Sequence, residues 1–396
     1  MELTWKTASG IPPLGARAAV DGGRGFASDG PARVTPKSTD PVAILSELVA
    51  FRTDVDEGHE RPLADRLAEL LRERGAGDVT VADVPRAQGK HASYVYARFG
   101  EPKLLVNAHL DTVPPNADWS SDPFVPRIAD GRLYGLGSAD TKGAAAAILA
   151  ALAEGTPKDT GILFSGDEEH SSVVFRAFVG GPHRAGLERA IVCEPTSLRA
   201  GTRHRGIASF EVDVTGPGGH SSFADGLPSP IAMLSRLGVA LDDWARAHRA
   251  SGPPGFQGMC LNLAKLEGGV AFNVIPAHAR LVVSLRPPPG ADTVAIRREL
   301  EAIVARVVPS ATTRFTRDNA PFATRDLASF EPLVGDAARA PIDLGFWTEA
   351  ALLAASGVDA IVFGPGDIAQ AHGPDEWITL EQLHRARDVF LRMFRA

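Results

Sequence analysis

The 396-residue chain carries only two cysteines, Cys193 and Cys260, so a disulfide framework does not organise it. A basic excess is missing too. Lys and Arg number 41 against 48 Asp and Glu, a formal net charge of -7, which removes the electrostatic reason to expect nucleic acid or an anionic membrane as partner. No apolar run reaches the roughly 18 residues of a membrane span. The chain does not start with a basic region followed by a compact apolar core, so no secretory signal is expected and a cytoplasmic location is the default. What is present is ordinary globular composition, 44% hydrophobic and 22% charged, in a chain too long for one modest core. Two domains are the expectation.

Residues 1–39 are rich in Gly, Pro, Ser and Ala and show neither helical nor strand period, which reads as a disordered or loosely attached extension. Order is expected from Asp40, a candidate N-cap, with Pro41 just inside the helix "PVAILSELVAF". A second helix, "ERPLADRLAELLRERGA", has Gly75 at its end. The short apolar runs "SYVYARF", "KLLVNAHL", "GILFSG" and "RAIVCEP" follow, separated by loops or alanine-rich helix such as "DTKGAAAAILAALAEG". Buried strands alternating with helices predict an α/β protein with a mainly parallel sheet.

From about residue 201 the pattern changes. "ASFEVDVTG" alternates, so one of its faces is wet, and the order that follows is β-α-β-β-α-β. After about 318 the chain returns to a helix and the buried strand "DAIVFGPG". The expected organisation is a catalytic domain from 40–200 and 319–396, interrupted by an inserted domain at 201–318.

Polar residues cluster where the buried strands end. "LLVNAHLD" ends with His109 and Asp111, "ILFSGDEE" with Asp167, Glu168 and Glu169, "AIVCEP" with Glu194, and "AIVFGPG" leads to His372. Asp140 stands at the mouth of the alanine-rich helix. Sites in open α/β sheets gather at the carboxyl ends of strands. Two imidazoles among several carboxylates suit one or two divalent ions, two ions needing about six ligand atoms and a bridge. Helix caps, solvated loop residues or a carboxylate-rich sugar site are the alternatives left open by residue type alone. Cys193, beside Glu194 in a strand, reads as a small apolar residue.

The segments "NAHLDTVPP", "DGRLYGLGSADTKGAAAAILAAL", "SGDEE", "CEPT", "GPGGHSS", "FNVIPAHARLVVSLR" and "FGPGDIAQAHGPDE", in this order over residues 40–396, resemble the acetylornithine deacetylase and succinyl-diaminopimelate desuccinylase family of dinuclear zinc amidohydrolases. The last segment looks more like the deacetylase. The resemblance implies a zinc-hydrolase catalytic domain and an inserted lid and dimerisation domain. It implies two zinc ions per subunit, replaceable by cobalt. His109 and Glu194 would hold one ion, Glu169 and His372 the other, and Asp140 would bridge them. Glu168 would be the general base and Asp111 the carboxylate that orients His109. Arg286 would bind the substrate carboxylate, Asn273 would lie on the same wall, and Gly364 and Gly366 would let the backbone approach the ligand or make a tight turn. His170 stands where the family commonly has glycine, which reads as a loop residue. His220 of "GPGGHSS" matches the histidine that stabilises the tetrahedral intermediate from a neighbouring subunit, so a homodimer is implied. The implied reaction is deacylation of an N-acyl-L-amino acid, first N2-acetyl-L-ornithine, as a step of arginine biosynthesis. N-acetyl-L-citrulline, succinyl-diaminopimelate, other acylamino acids or dipeptides are the alternatives, and a non-catalytic relative is the remote one.

Overall fold

The computed structural model describes residues 33–35, 37–55 and 59–396. Residues 1–32 lie outside the described part, but 33–39 do not behave as a loose extension. The Val34 amide donates to Glu47 at 2.7 Å, and Arg66 and Arg74 donate to the carbonyls of Val34 and Ser38 at 3.2 and 3.3 Å. The buried Arg66–Glu47 pair and Arg74 thus tie this segment to the helices Pro41–Val49 and Glu60–Glu73. Composition hid this, because the holding groups lie elsewhere in the chain. Asp40 caps the first helix through Val42 N, with Pro41 at its first position. Gly75, at φ +89°, follows the second, as its permissive backbone allows.

The central sheet is α/β and largely parallel. Thr160–Ser165, Leu104–His109, Arg189–Val192 and Asp359–Val362 lie side by side in that order and run parallel. All four are buried except at the half-buried Arg189, matching their continuous apolar sequences. Antiparallel strands extend the sheet at both sides. Helices Pro41–Val49, Lys142–Leu152 and Leu380–Arg395 cover one face around a core that includes Ile148, Phe164, Phe363 and Phe390. Phe175, Phe178 and Leu353 cover the other.

A second sheet has the antiparallel order Asn262–Gly268, His278–Leu285, Ile207–Thr215, Thr312–Asn319. In Ile207–Thr215, Ala208, Phe210, Val212 and Val214 turn inward against helices Pro230–Ala247 and Thr293–Val307, as the alternation required. This is the β-α-β-β-α-β order. Residues 201–204, expected within it, pair instead in the central sheet beside Val362, Phe322 and Ile342. The backbone leaves that sheet only after His204. Gly206 marks the departure: a Cβ there would stand 2.6 Å from the Asn319 carbonyl, where the chain returns.

Candidate metal centre

The four parallel strands deliver their C-terminal loops to one place. His109, the last residue of its strand, is buried, and its Nδ1 lies 2.8 Å from the Asp111 carbonyl oxygen. A carbonyl only accepts, so Nδ1 donates, and Nε2 faces Asp140 Oδ1 at 2.9 Å. Asp140 is free to do this because it does not cap the following helix. The N-cap is Thr141, whose hydroxyl is bonded to the main chain of His109. The other oxygen of Asp140 lies 3.4 Å from His372 Nε2, and the same nitrogen is 2.9 Å from Glu169 Oε1. Ligand-capable atoms of His109, Asp140 and Glu194 lie within 4.8 Å of one another, as do those of Asp140, Glu169 and His372. Glu168 joins His109 and Glu169 within the same limit.

The electrostatics show why a cation belongs here. Burial drives the carboxyls of Glu168 and Glu194 well above the usual range, reinforced by neighbouring carboxylates and opposed by His109. Burial raises Glu169 as well, against the pull of His372. His372 is pushed up to about 10 by its hydrogen bonds to Asp140 and Glu169. An imidazole nitrogen aimed at a carboxylate oxygen, with the other ring nitrogen fixed to a carbonyl, is the arrangement of metal-binding histidines. The donor set of nitrogen and oxygen fits zinc.

Asp111 behaves differently from expectation. Its carboxylate is 3.7 Å from His109 Nδ1, and the carbonyl does the orienting. The carboxylate instead accepts from the amides of Glu168 and Glu169 at 3.1 and 3.0 Å. Those two bonds fix the turn bearing both glutamates. Glu376 went unassigned in sequence. It is buried, is pushed up to about 7 by burial, and accepts from Gly137, Ala139 and Asp140 N–H at 2.8, 2.8 and 3.0 Å, fixing the loop of Asp140. Its only signal was its place in "HGPDE". His170 is exposed, with Nδ1 3.8 Å from Asp167. A Cβ on Gly364 would meet the Glu194 carbonyl at 2.7 Å, and one on Gly366 would meet Ala139 at about 3.0 Å, so these glycines seat one protein loop against others. Cys193 is buried, and burial pushes its thiol well above the usual range.

Within one chain, Asn273 lies beside His220 and far from Arg286. Gly219–His220 pairs with Val274–Ile275, and Ser221 N donates to the Asn273 carbonyl, so His220 and Asn273 share one tip. Ser222 N donates to His220 Nδ1 at 3.2 Å, which leaves the proton on Nε2 and an exposed donor. Arg286 follows the strand His278–Leu285 at its other end. His278 lies opposite Thr215 and Leu285 opposite Ala208, so the tip and Arg286 stand about 25 Å apart along the sheet. Arg205, just outside the central sheet, donates to the carbonyls of Arg286, Gly258 and Gln257 at 2.7 to 2.9 Å. Arg286 is therefore beside the chain's own body, and His220 is at the far end.

Residues 105–396 match the family model described as peptidase family M20/M25/M40. An N-acetyl-L-citrulline deacetylase from Xanthomonas campestris pv. campestris is 38% identical over 336 residues, covering 80% of this chain and 89% of that protein. An acetylornithine deacetylase from Myxococcus xanthus is 35% identical, covering 74% of this chain and 80% of its own. Among solved structures, an M20 family metallo-carboxypeptidase from Sulfolobus solfataricus shares the fold with a TM-score of 0.70 at 16% identity, over 90% of this chain and 98% of that one.

Proposed function

Because the chain belongs to peptidase family M20/M25/M40, whose members are metal-dependent hydrolases, we propose that it deacylates N-acyl-L-amino acids with two zinc ions per subunit, its leading substrate N2-acetyl-L-ornithine. The observation that carries this reading is Asp140, whose two oxygens face two different imidazoles, His109 and His372. In this reading Asp140 would serve both ions, with His109 and Glu194 holding one and Glu169 and His372 the other. Zinc, when bound, supplies Lewis acidity at the amide carbonyl and a more acidic water; cobalt can substitute. Glu168 takes the proton of the attacking water and delivers it to the departing amine. Asp111 and Glu376 keep the two ligand-bearing loops in place. Arg286 receives the substrate carboxylate as a planar fork. His220 donates Nε2–H to the developing oxyanion.

The separation of His220 from Arg286 supports a homodimer in which the tip reaches the partner's centre. The edge strand Asn262–Gly268 is exposed along its whole length. Leu263 and Leu266, with Val239 of the adjacent helix, line an apolar groove of about 270 Å³ there. A two-fold antiparallel pairing of this strand with its copy, centred on Leu266, sets Leu266 against Leu266 and Lys265 against Glu267. The segment from about 206 to 318 would then be the inserted lid and dimerisation unit, and 33–205 with 319–396 the catalytic body. Among the described residues no helix is long and apolar enough to cross a membrane. A cytoplasmic enzyme of arginine biosynthesis is the accompanying proposal. N-acetyl-L-citrulline is the second reading, favoured by the 38% identical relative.

The test is a kinetic panel of acetylornithine, acetylcitrulline, acetylmethionine and succinyl-diaminopimelate on protein loaded with zinc or cobalt. Acetylornithine is expected to give the highest kcat/KM, chelation to abolish turnover, and either metal to restore it. Full activity in metal-free protein would sink the mechanism. A higher kcat/KM for acetylcitrulline would select the second reading.

A further inference from the structure

The turn bearing Glu168 and Glu169 is held from behind by a residue outside the segment that matches the family model. Asp167 opens the turn in the left-handed region, at φ +69°, and its side chain is fully buried. Its Oδ2 accepts from Ser171 Oγ at 2.6 Å and Val173 N at 2.9 Å, and its carbonyl accepts from Ser171 N and Ser172 N. One residue thus closes the loop on itself. The remaining oxygen, Oδ1, is met by Arg86 Nε at 2.8 Å, the arginine being nine-tenths buried. Arg86 comes from the tight turn between strands Asp78–Pro85 and His91–Phe99, where its amide donates to the Lys90 carbonyl at 2.7 Å. Arg86 also lines a cavity of about 590 Å³ together with Glu60 and Ser93.

We propose that Arg86 is a positioning residue for Glu168, acting through Asp167; this rests on the reading of Glu168 as general base. A buried carboxylate stripped of the guanidinium that meets it is left poorly compensated, and it swings toward other partners. That movement weakens the hold on Ser171 and Val173. The two glutamates then respond unequally. Glu169 is restrained a second time by His372, and by a metal when one is bound, whereas Glu168 depends on the turn for its aim. Losing Arg86 therefore costs chemistry while leaving metal binding in place.

The experiment compares Arg86→Met, Arg86→Lys and the double variant Arg86→Met/Asp167→Asn with wild type, as zinc-loaded full chains. Arg86→Met is expected to lower kcat about 10- to 100-fold, the scale of a small misplacement of a reacting group, with KM within about threefold and metal content unchanged. Arg86→Lys should recover much of the kcat. Amide hydrogen exchange at Ser171, Ser172 and Val173 should quicken by about tenfold or more in Arg86→Met. A folded Arg86→Met with kcat within about twofold of wild type, or a kcat loss matched by metal loss, overturns the proposal. If Arg86→Met does not fold, the double variant, which strands no buried charge, takes its place under the same criteria. If wild type itself hydrolyses none of the acylamino acids, the functional reading fails separately, and unchanged amide exchange in the folded variant still overturns the positioning role.

Discussion

Glu168 and Glu169 are adjacent and chemically identical, yet the fold gives them different surroundings. Glu169 faces His372 at 2.9 Å, whereas among the described residues no imidazole lies within hydrogen-bonding distance of the Glu168 carboxyl. Burial nonetheless holds Glu168 well above the ordinary carboxyl range, next to Glu169, Glu349 and Asp111. A carboxylate that is close to the centre, poorly solvated and uncommitted to a ligand pair suits proton transfer. Glu168→Ala should therefore keep its metal by elemental analysis and lose turnover by about 10²–10⁴-fold. Metal loss in that variant would move Glu168 into the ligand set and refute its role as base. Asp111 gives the complementary lesson. Its position was legible in "HLD", but its job was not, because only the folded backbone determines whether carbonyl or carboxylate faces the ring.

The strand Asn262–Gly268 is an edge exposed along its whole length. An exposed edge is a hazard unless something covers it, and charged residues such as Lys265 and Glu267 discourage all but a matching partner. Within one chain these two are paired at 2.6 Å, and across a two-fold axis they would also face each other reciprocally. Glu267→Lys places lysine against lysine twice, so sedimentation should show dissociation to single chains. The swap Lys265→Glu/Glu267→Lys restores opposite charges and should restore the dimer. Equal masses for wild type and Glu267→Lys would reject this register. Elements of this kind were largely legible. The four buried parallel strands announced themselves by continuous apolar runs, and Ile207–Thr215 by alternation. What was illegible depended on groups distant in sequence. Val34 is held by Glu47 and Arg66, Asp140 is seated by Glu376, and Asp167 is met by Arg86. No local period or propensity encodes which distant carboxylate will meet a given amide.

Across the whole molecule, His220 and Arg286 are held far apart within one chain. Arg286 stands beside the central sheet, through the Arg205 contact, and His220 stands at the opposite end of the second sheet. The strand between them is hydrogen-bonded on both sides, so the pair cannot be drawn together by bending it. If both act on one substrate, they come from two chains. A His220→Ala protomer then lacks a donor that its partner's centre needs, and a Glu168→Ala protomer lacks a base that its own centre needs. Each homodimer should be inactive. In a mixed dimer one of the two centres is complete, taking Glu168 from one chain and His220 from the other. With random re-pairing, about a quarter of wild-type activity should return on subunit exchange. Heterodimers demonstrated by mass, with no activity regained, would place His220 in its own chain's site or outside the chemistry. Activity appearing without subunit exchange would show that one of the two substitutions had not disabled its centre.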